Sequence, residues 1–265
     1  MPLIQTDRGT LHVDEQGSGP PLLLLHANPG DPRDFEAIVP ALLPHFRVLR
    51  PSWPGYGQTP APAQPAQVTA VQYAELLEAL VETLDLRDLR IIGNSLGGFA
   101  AARLAIRQPD RVQALVLVSP GGFSQHTFFT RDFCHFKGRE YVTRWLNAPL
   151  AWLYLSQRNE TTKAIRQRAR YEQRSPDAVA VNAALWRSFI APEHDLRDQA
   201  GKIRAHTLVI GGRRDPLIPA SDSRRAAALI PGANCIILPC GHMPFAEMPQ
   251  AFLAAVLPFL ERSTD

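Results

Sequence analysis

Gly93-Asn94-Ser95-Leu96-Gly97 constrains this chain more than any other stretch. Taken alone, a G-x-S-x-G pattern is weak, because glycine and serine are common in loops. Its flanks change its weight. Leu89-Arg90-Ile91-Ile92 before it is a short apolar run of the kind that forms a buried strand. Phe99–Ile106 after it is rich in helix formers and stops ahead of Pro109. A strand that turns sharply into a helix lifts the serine hydroxyl to the sheet edge and sets helix N–H groups behind it. Such a turn strains the serine backbone and requires Gly93 and Gly97 where neighbouring backbone passes too close for a Cβ.

The rest of the chain can supply the sheet. With 265 residues it accommodates one large α/β domain with an insertion and needs no disulfide or metal to stay folded. Hydrophobic residues at 45% and charged residues at 20% describe a globular chain, and a net charge of +3 gives no reason to expect a nucleic-acid partner. The three cysteines, Cys134, Cys235 and Cys240, form no C-x-x-C pair and fit reduced thiols in a cytoplasm. Met1–Leu11 lacks the basic start and long apolar segment of a signal peptide, and no apolar run approaches the span of a bilayer. A cytoplasmic protein without membrane association is expected.

In chain order, Thr10–Gln16 alternates as a half-exposed antiparallel strand, with Leu11 and Val13 set against His12 and Asp14. Pro21–Leu25 reads as the first fully buried strand. Phe35–Phe46 has helical apolar spacing interrupted by Pro40 and Pro44. Arg47–Pro51 is a further strand. Thr69 is a plausible N-cap for a helix over Ala70–Leu84, whose Tyr73, Leu76, Leu77, Leu80, Val81 and Leu84 share a face. Arg111–Val118 is nearly all apolar and reads as the strand after the elbow helix. From Phe123 to Ile190 the strand signal vanishes and aromatic-rich helical patterns replace it. The strand–helix rhythm resumes with strands at Thr207–Gly211 and Cys235–Leu238 and helices at Ser223–Leu229 and Pro249–Leu260. The pattern is that of an α/β fold: a mostly parallel sheet covered on both faces, with a helical cap over the strands' C-terminal edge. The expected division is a core over residues 1–122 and 196–265 and a cap over 123–195.

A serine hydroxyl needs a positioned base, and the base needs a carboxylate to orient it. Asp215 lies 120 residues after Ser95 (215 − 95), and His242 a further 27 on (242 − 215), each just past an expected strand. Singly, Asp215 could be a turn former and His242 an ordinary loop histidine. Together, in the order serine, acid, histidine, they are candidate catalytic residues. An oxyanion would need two donors, and position assigns them to the backbone N–H groups of Leu96 and of Asn28 in the loop His26–Gly30. His26 itself reads as a residue that bonds loop backbone and holds the loop's shape.

His26-Ala27-Asn28-Pro29-Gly30, Pro54-Gly55-Tyr56-Gly57, Gly93–Gly98, Gly211–Asp215 and Gly241-His242 together resemble the α/β-hydrolase superfamily over nearly the whole chain. The resemblance is closest to its capped branch of esterases, C–C bond hydrolases, cofactor-free haloperoxidases, epoxide hydrolases and haloalkane dehalogenases. It implies an eight-stranded core, a cap after the sixth strand, and catalytic roles for Ser95, Asp215 and His242. Serine at position 95 argues against the dehalogenases and epoxide hydrolases, which carry aspartate there. Ala27 replaces the glycine usual in the oxyanion loop. Gly-Asn-Ser-Leu-Gly-Gly is similar to the elbow of meta-cleavage-product C–C hydrolases, although Met243 stands where those have tryptophan.

Between residues 124 and 190, eleven Lys and Arg face five acids, a local excess of six positive charges. A cap arginine could clamp a substrate carboxylate, whereas a solvated helix face is the plainer reading. The cap aromatics are expected mostly as cap core, with a few lining an apolar pocket. No cofactor or metal is expected, since Cys240 near His242 has no second ligand pair. The expected function is serine-dependent hydrolysis of a carboxylic ester of a small apolar molecule. C–C bond hydrolysis and perhydrolysis are the alternatives within enzymes, and a non-catalytic small-ligand receptor is the alternative outside them. The sequence leaves the oligomeric state open.

Overall fold

The computed structural model describes residues 3–172 and 174–262. Met1 and Pro2, the first residues of the segment expected to lack a signal peptide, lie outside the described residues. Eight strands form one sheet: β1 (Leu3–Thr6), β2 (Gly9–Gln16), β3 (Pro21–Leu25), β4 (Arg47–Pro51), β5 (Leu89–Asn94), β6 (Val112–Val118), β7 (His206–Gly212) and β8 (Asn234–Leu238). Their spatial order is β1-β2-β4-β3-β5-β6-β7-β8, antiparallel at β1–β2 and β2–β4 and parallel elsewhere. In chain order the α-helices are α1 (Val39–Leu42), α2 (Ala70–Thr83), α3 (Leu96–Arg107), α4 (Phe128–Lys137), α5 (Glu140–Tyr154), α6 (Glu160–Glu172), α7 (Pro176–Ser188), α8 (Ala220–Leu229), α9 (Pro244–Glu247) and α10 (Pro249–Arg262).

A strand covered on both faces has no polar side, which is why β3 is a run of leucines. Leu23 and Leu25 pack with α2 and α3 on one face, while Leu22 and Leu24 pack with α1 and α10 on the other. The α2 N-terminus is closed reciprocally: the Thr69 hydroxyl accepts the Gln72 N–H, and the Gln72 side chain accepts the Thr69 N–H. Between β6 and β7 stand α4–α7, with no strand among the described residues there. Ala151, Tyr154, Ile165 and Ala169 of α5 and α6 join the core layer shared with α10, whereas Val181, Ala184 and Leu185 of α7 join the layer shared with α2. The insertion thus sits across the ends of both layers. Among the described residues, no helix is long and apolar enough to cross a membrane.

Several expectations are corrected. The helix foreseen over Phe35–Phe46 is reduced to a 3-10 turn at Pro32–Phe35 and the single turn α1, because Pro40 can stand only in a first helical turn. His12, expected toward solvent, is buried; its N–H donates to the Thr59 hydroxyl at 2.9 Å as the loop after β4 folds across β2. The strand β1 has no counterpart in the sequence reading. The cap aromatics are mostly not core: Phe128, Phe129 and Trp145 are 86%, 88% and 73% exposed, whereas Tyr154 and Trp186 are buried. A single helical layer seated on a sheet has one covered side, and α7 fills much of that side with Ala178, Val179, Val181, Ala183 and Ala184.

Lys137, which the charge pattern assigned to a solvated face, is fully buried at the end of α4. Its ammonium donates to Asn147 Oδ1 at 2.7 Å and Thr143 Oγ1 at 3.2 Å and lies 5.8 Å from the Trp186 ring centroid. Burial pushes it down to about 7. A lysine depressed in the folded state leaves the unfolded chain holding the extra proton between about pH 7 and about pH 10.4, so this group makes stability rise with pH across that window. Lys137→Met should therefore raise the thermal midpoint at pH 6, by about 2–4 °C per kcal/mol relieved, with the gain vanishing near pH 10. Calorimetry across that range checks it, and a pH-independent gain would contradict the burial account.

Candidate active site

The site begins where β5 runs into α3. Ser95 adopts φ 53° and ψ −110°, a left-handed conformation that side chains rarely accept. Three backbone bonds hold it there: the Ser95 N–H donates to the Val118 carbonyl at 3.0 Å, and the Ser95 carbonyl accepts N–H groups from Phe99 at 2.9 Å and Gly121 at 3.0 Å. A Cβ on Gly93 would run into the Gly97 carbonyl, and one on Gly97 into the Leu25 carbonyl. The two glycines thus let the start of α3 lie directly against β5 and the end of β3. Leu96 is the first residue of α3, so its N–H has no carbonyl one turn back to bond. Among the described residues, nothing hydrogen-bonds the Ser95 hydroxyl.

Asp215 follows β7, and His242 follows β8, at the same sheet edge. Their side chains meet at 2.6 Å, Asp215 Oδ2 to His242 Nδ1, and both residues are buried. The other carboxylate oxygen accepts N–H groups from Leu217 at 2.9 Å and Ile218 at 3.0 Å, so the loop itself aims the side chain. Burial would raise the Asp215 carboxyl, but the charge and hydrogen bond of His242 and the Ile218 N–H outweigh it and hold it below its usual range. An ionised Asp215 can only accept, so His242 Nδ1 carries a proton, and in the neutral ring the lone pair is then on Nε2. Asn94, the residue before Ser95, donates from Nδ2 to the His242 carbonyl at 3.2 Å and to the Val118 carbonyl at 3.0 Å. That bond ties the histidine loop to the elbow.

The loop after β3 carries Asn28 beside the start of α3, because β3 and β5 are parallel neighbours with Leu25 opposite Gly93. Tyr56 donates its hydroxyl to Asn28 Oδ1 at 2.6 Å. His26 does what the sequence suggested: Nδ1 donates to the Ala27 carbonyl at 2.8 Å, and Nε2 accepts the Trp53 N–H at 3.1 Å. Burial lowers His26 to about 4, which keeps the neutral ring that this donor–acceptor pattern requires.

Three contributors were not legible beforehand. Asn94 fills the second position of the motif, yet only the fold shows what its amide reaches. Ser119 follows β6 at φ 41°, buried beside Asp215. Asp34 pairs with Arg168 of α6 at 2.7 Å and is lifted by burial, against that arginine's charge, to about 6. Of the cap arginines, Arg168 is therefore engaged by a carboxylate of the chain itself, in the loop after β3. Among the described residues, no group of three or more His, Cys, Asp or Glu is placed to hold a metal ion.

Comparison with known proteins bears on the fold and the family. The chain is 26% identical to a 2-hydroxy-6-oxo-6-phenylhexa-2,4-dienoate hydrolase of Burkholderia cepacia, covering 94% of this chain and 91% of that protein. It is 27% identical to a pimeloyl-[acyl-carrier protein] methyl ester esterase of Nitrosomonas europaea, covering 92% and 97%. The crystal structure of the enol-lactonase from Burkholderia xenovorans LB400 superposes with a TM-score of 0.85 at 25% identity, over 98% of this chain and all of that one. A family model described as alpha/beta hydrolase fold matches residues 20–249. With the sheet order, the elbow and these matches together, the chain belongs to the α/β-hydrolase family and is an enzyme of it.

Proposed function

We propose that this enzyme is a serine hydrolase that cleaves a carboxylic ester of a small apolar molecule through an acyl-enzyme, with residues 123–195 as a cap on a core formed by 1–122 and 196–265. The observation that carries this reading is the buried Asp215–His242 contact, fastened through Asn94 to the strained Ser95 turn. Ser95 Oγ attacks the ester carbonyl carbon while His242 Nε2 takes its proton. Asp215 keeps the imidazole oriented and stabilises its charged form. The oxyanion that develops is met by the N–H groups of Asn28 and Leu96. The imidazolium then protonates the departing alkoxide, which leaves as an alcohol. Water enters, loses a proton to His242, attacks the acyl carbon and releases the acid, returning the proton to Ser95. Three unpaired cysteines support a reducing, cytoplasmic setting.

A C–C bond hydrolase is the second reading, supported by the Burkholderia cepacia relative. The same serine and histidine would serve, with a carbanion in place of the alkoxide as leaving group. A panel of short-chain aryl esters against vinylogous 1,5-diketones separates the two readings by which class gives the higher kcat/KM.

An activated fluorophosphonate should add once to the wild type, read by intact mass, and should not add to Ser95→Ala. Labelling of a well-folded Ser95→Ala at the wild-type rate would remove Ser95 from the role of nucleophile. Asp215→Asn should retain the fold and lose about 10⁴-fold in kcat through loss of the correct imidazole tautomer. Near-wild-type turnover in that variant would place the orienting acid elsewhere.

A further inference from the structure

His242 sits in a loop whose backbone is held from outside its own strand. The His242 N–H donates to the Tyr154 carbonyl at 2.8 Å, at the end of α5, and the Tyr154 ring lies edge-on to the imidazole with centroids 5.7 Å apart. The N–H groups on either side, Gly241 and Met243, both donate to the carboxylate of Glu247, at 3.0 Å and 3.2 Å. That carboxylate is buried, and its other donors come from the turn between α5 and α6: the Ser156 N–H at 2.7 Å, the Ser156 hydroxyl at 2.9 Å and the Gln157 N–H at 2.9 Å. Asn159 adds a bond from Nδ2 to the Ala246 carbonyl at 2.9 Å. Five donors thus converge on one side chain, four of them on Oε2. The charged neighbour bearing on it is Arg166 of α6, and the Cys240 thiol beside it in the His242 loop is kept neutral by burial.

We propose that Glu247 is a positioning residue: it joins the α5–α6 turn to the backbone on both sides of His242, so that seating the cap and aiming the imidazole are one structural event. This rests on the reading of His242 as the base. With the helices of the insertion docked, the His242 N–H has a partner that it would otherwise lack in a buried loop, and the carboxylate that accepts the Gly241 and Met243 N–H groups is itself held by Ser156 and Gln157. With them lifted, Tyr154, Ser156 and Gln157 withdraw: the His242 N–H loses its acceptor, and the Glu247 side chain loses the three donors that fix its position beside the loop.

Glu247→Gln keeps the shape and removes the charge. Since four of the five donors converge on Oε2, the amide is best accommodated with its oxygen there, which leaves Met243 without an acceptor. With an aryl butyrate as probe, we expect kcat to fall about 10- to 100-fold with KM little changed, as a small misplacement of a catalytic group produces. The acid limb of the kcat/KM profile should move as well. Ser156→Ala, which deletes one donor and leaves the carboxylate, should shift the same quantities less, and it keeps the test open if Glu247→Gln does not fold. An activity-free readout accompanies these: the downfield proton resonance of His242 Nδ1–H, assigned by its loss in His242→Gln, should broaden in Glu247→Gln. A purely structural Glu247 would lower the thermal midpoint while leaving the resonance and the pH profile where they are in the wild type; that result overturns the proposal. Retained turnover in Ser95→Ala would defeat the nucleophile assignment alone, because the imidazole resonance judges Glu247 independently of turnover.

Discussion

The rest of the site depends on how closely the start of α3 lies against β3 and β5. With glycine at 93 and 97, the Leu25 and Gly97 carbonyls occupy space that any Cβ would need. This contact forces the chain through the left-handed turn at Ser95, whose strain is offset by the bonds to Val118, Phe99 and Gly121. The same contact sets the loop carrying Asn28 beside the first N–H groups of α3, where a developing negative charge would be stabilised. Backbone packing at one crossing therefore positions both the proposed nucleophile and its proposed oxyanion donors.

The imidazole is held differently. Its ring is oriented by Asp215, whose own oxygens are aimed by the Leu217 and Ile218 N–H groups. Its backbone is divided between two neighbours: the carbonyl is bonded by Asn94 of the elbow and the N–H by Tyr154 of the insertion. A residue clamped from both sides carries the geometry of one part of the molecule to the other. The Arg168–Asp34 pair makes a second tie from α6, to the loop after β3. The histidine loop is thus braced from the end of α5 and the loop after β3 from α6.

Much of the core was legible because its signals are local. Runs such as Leu22–Leu25 and Ala114–Val118 are apolar throughout because both faces of their strands are covered. Thr69 and Gln72 announce the start of α2 within four residues of chain. The cap was harder to read. An aromatic at helical spacing looks the same whether it faces a core or solvent, and Phe129 and Trp145 turned outward because α7 had filled the covered side with small residues. Lys137 was misjudged for a related reason. A lysine is ordinarily solvated, and nothing near it in the chain reveals that Asn147, Thr143 and Trp186 close over its ammonium.

What the sequence determined by itself was the alternation of strands and helices, the elbow and its glycines, and the order of serine, acid and histidine along the chain. These follow from residues within one element or one turn, where periodicity and steric demand act between near neighbours. Only the tertiary structure decided which side chains brace the site. Glu247 meets Ser156 across 91 positions and Arg168 meets Asp34 across 134. A carboxylate collects its donors by where the fold delivers them, and separations of that length leave no periodic trace in the chain.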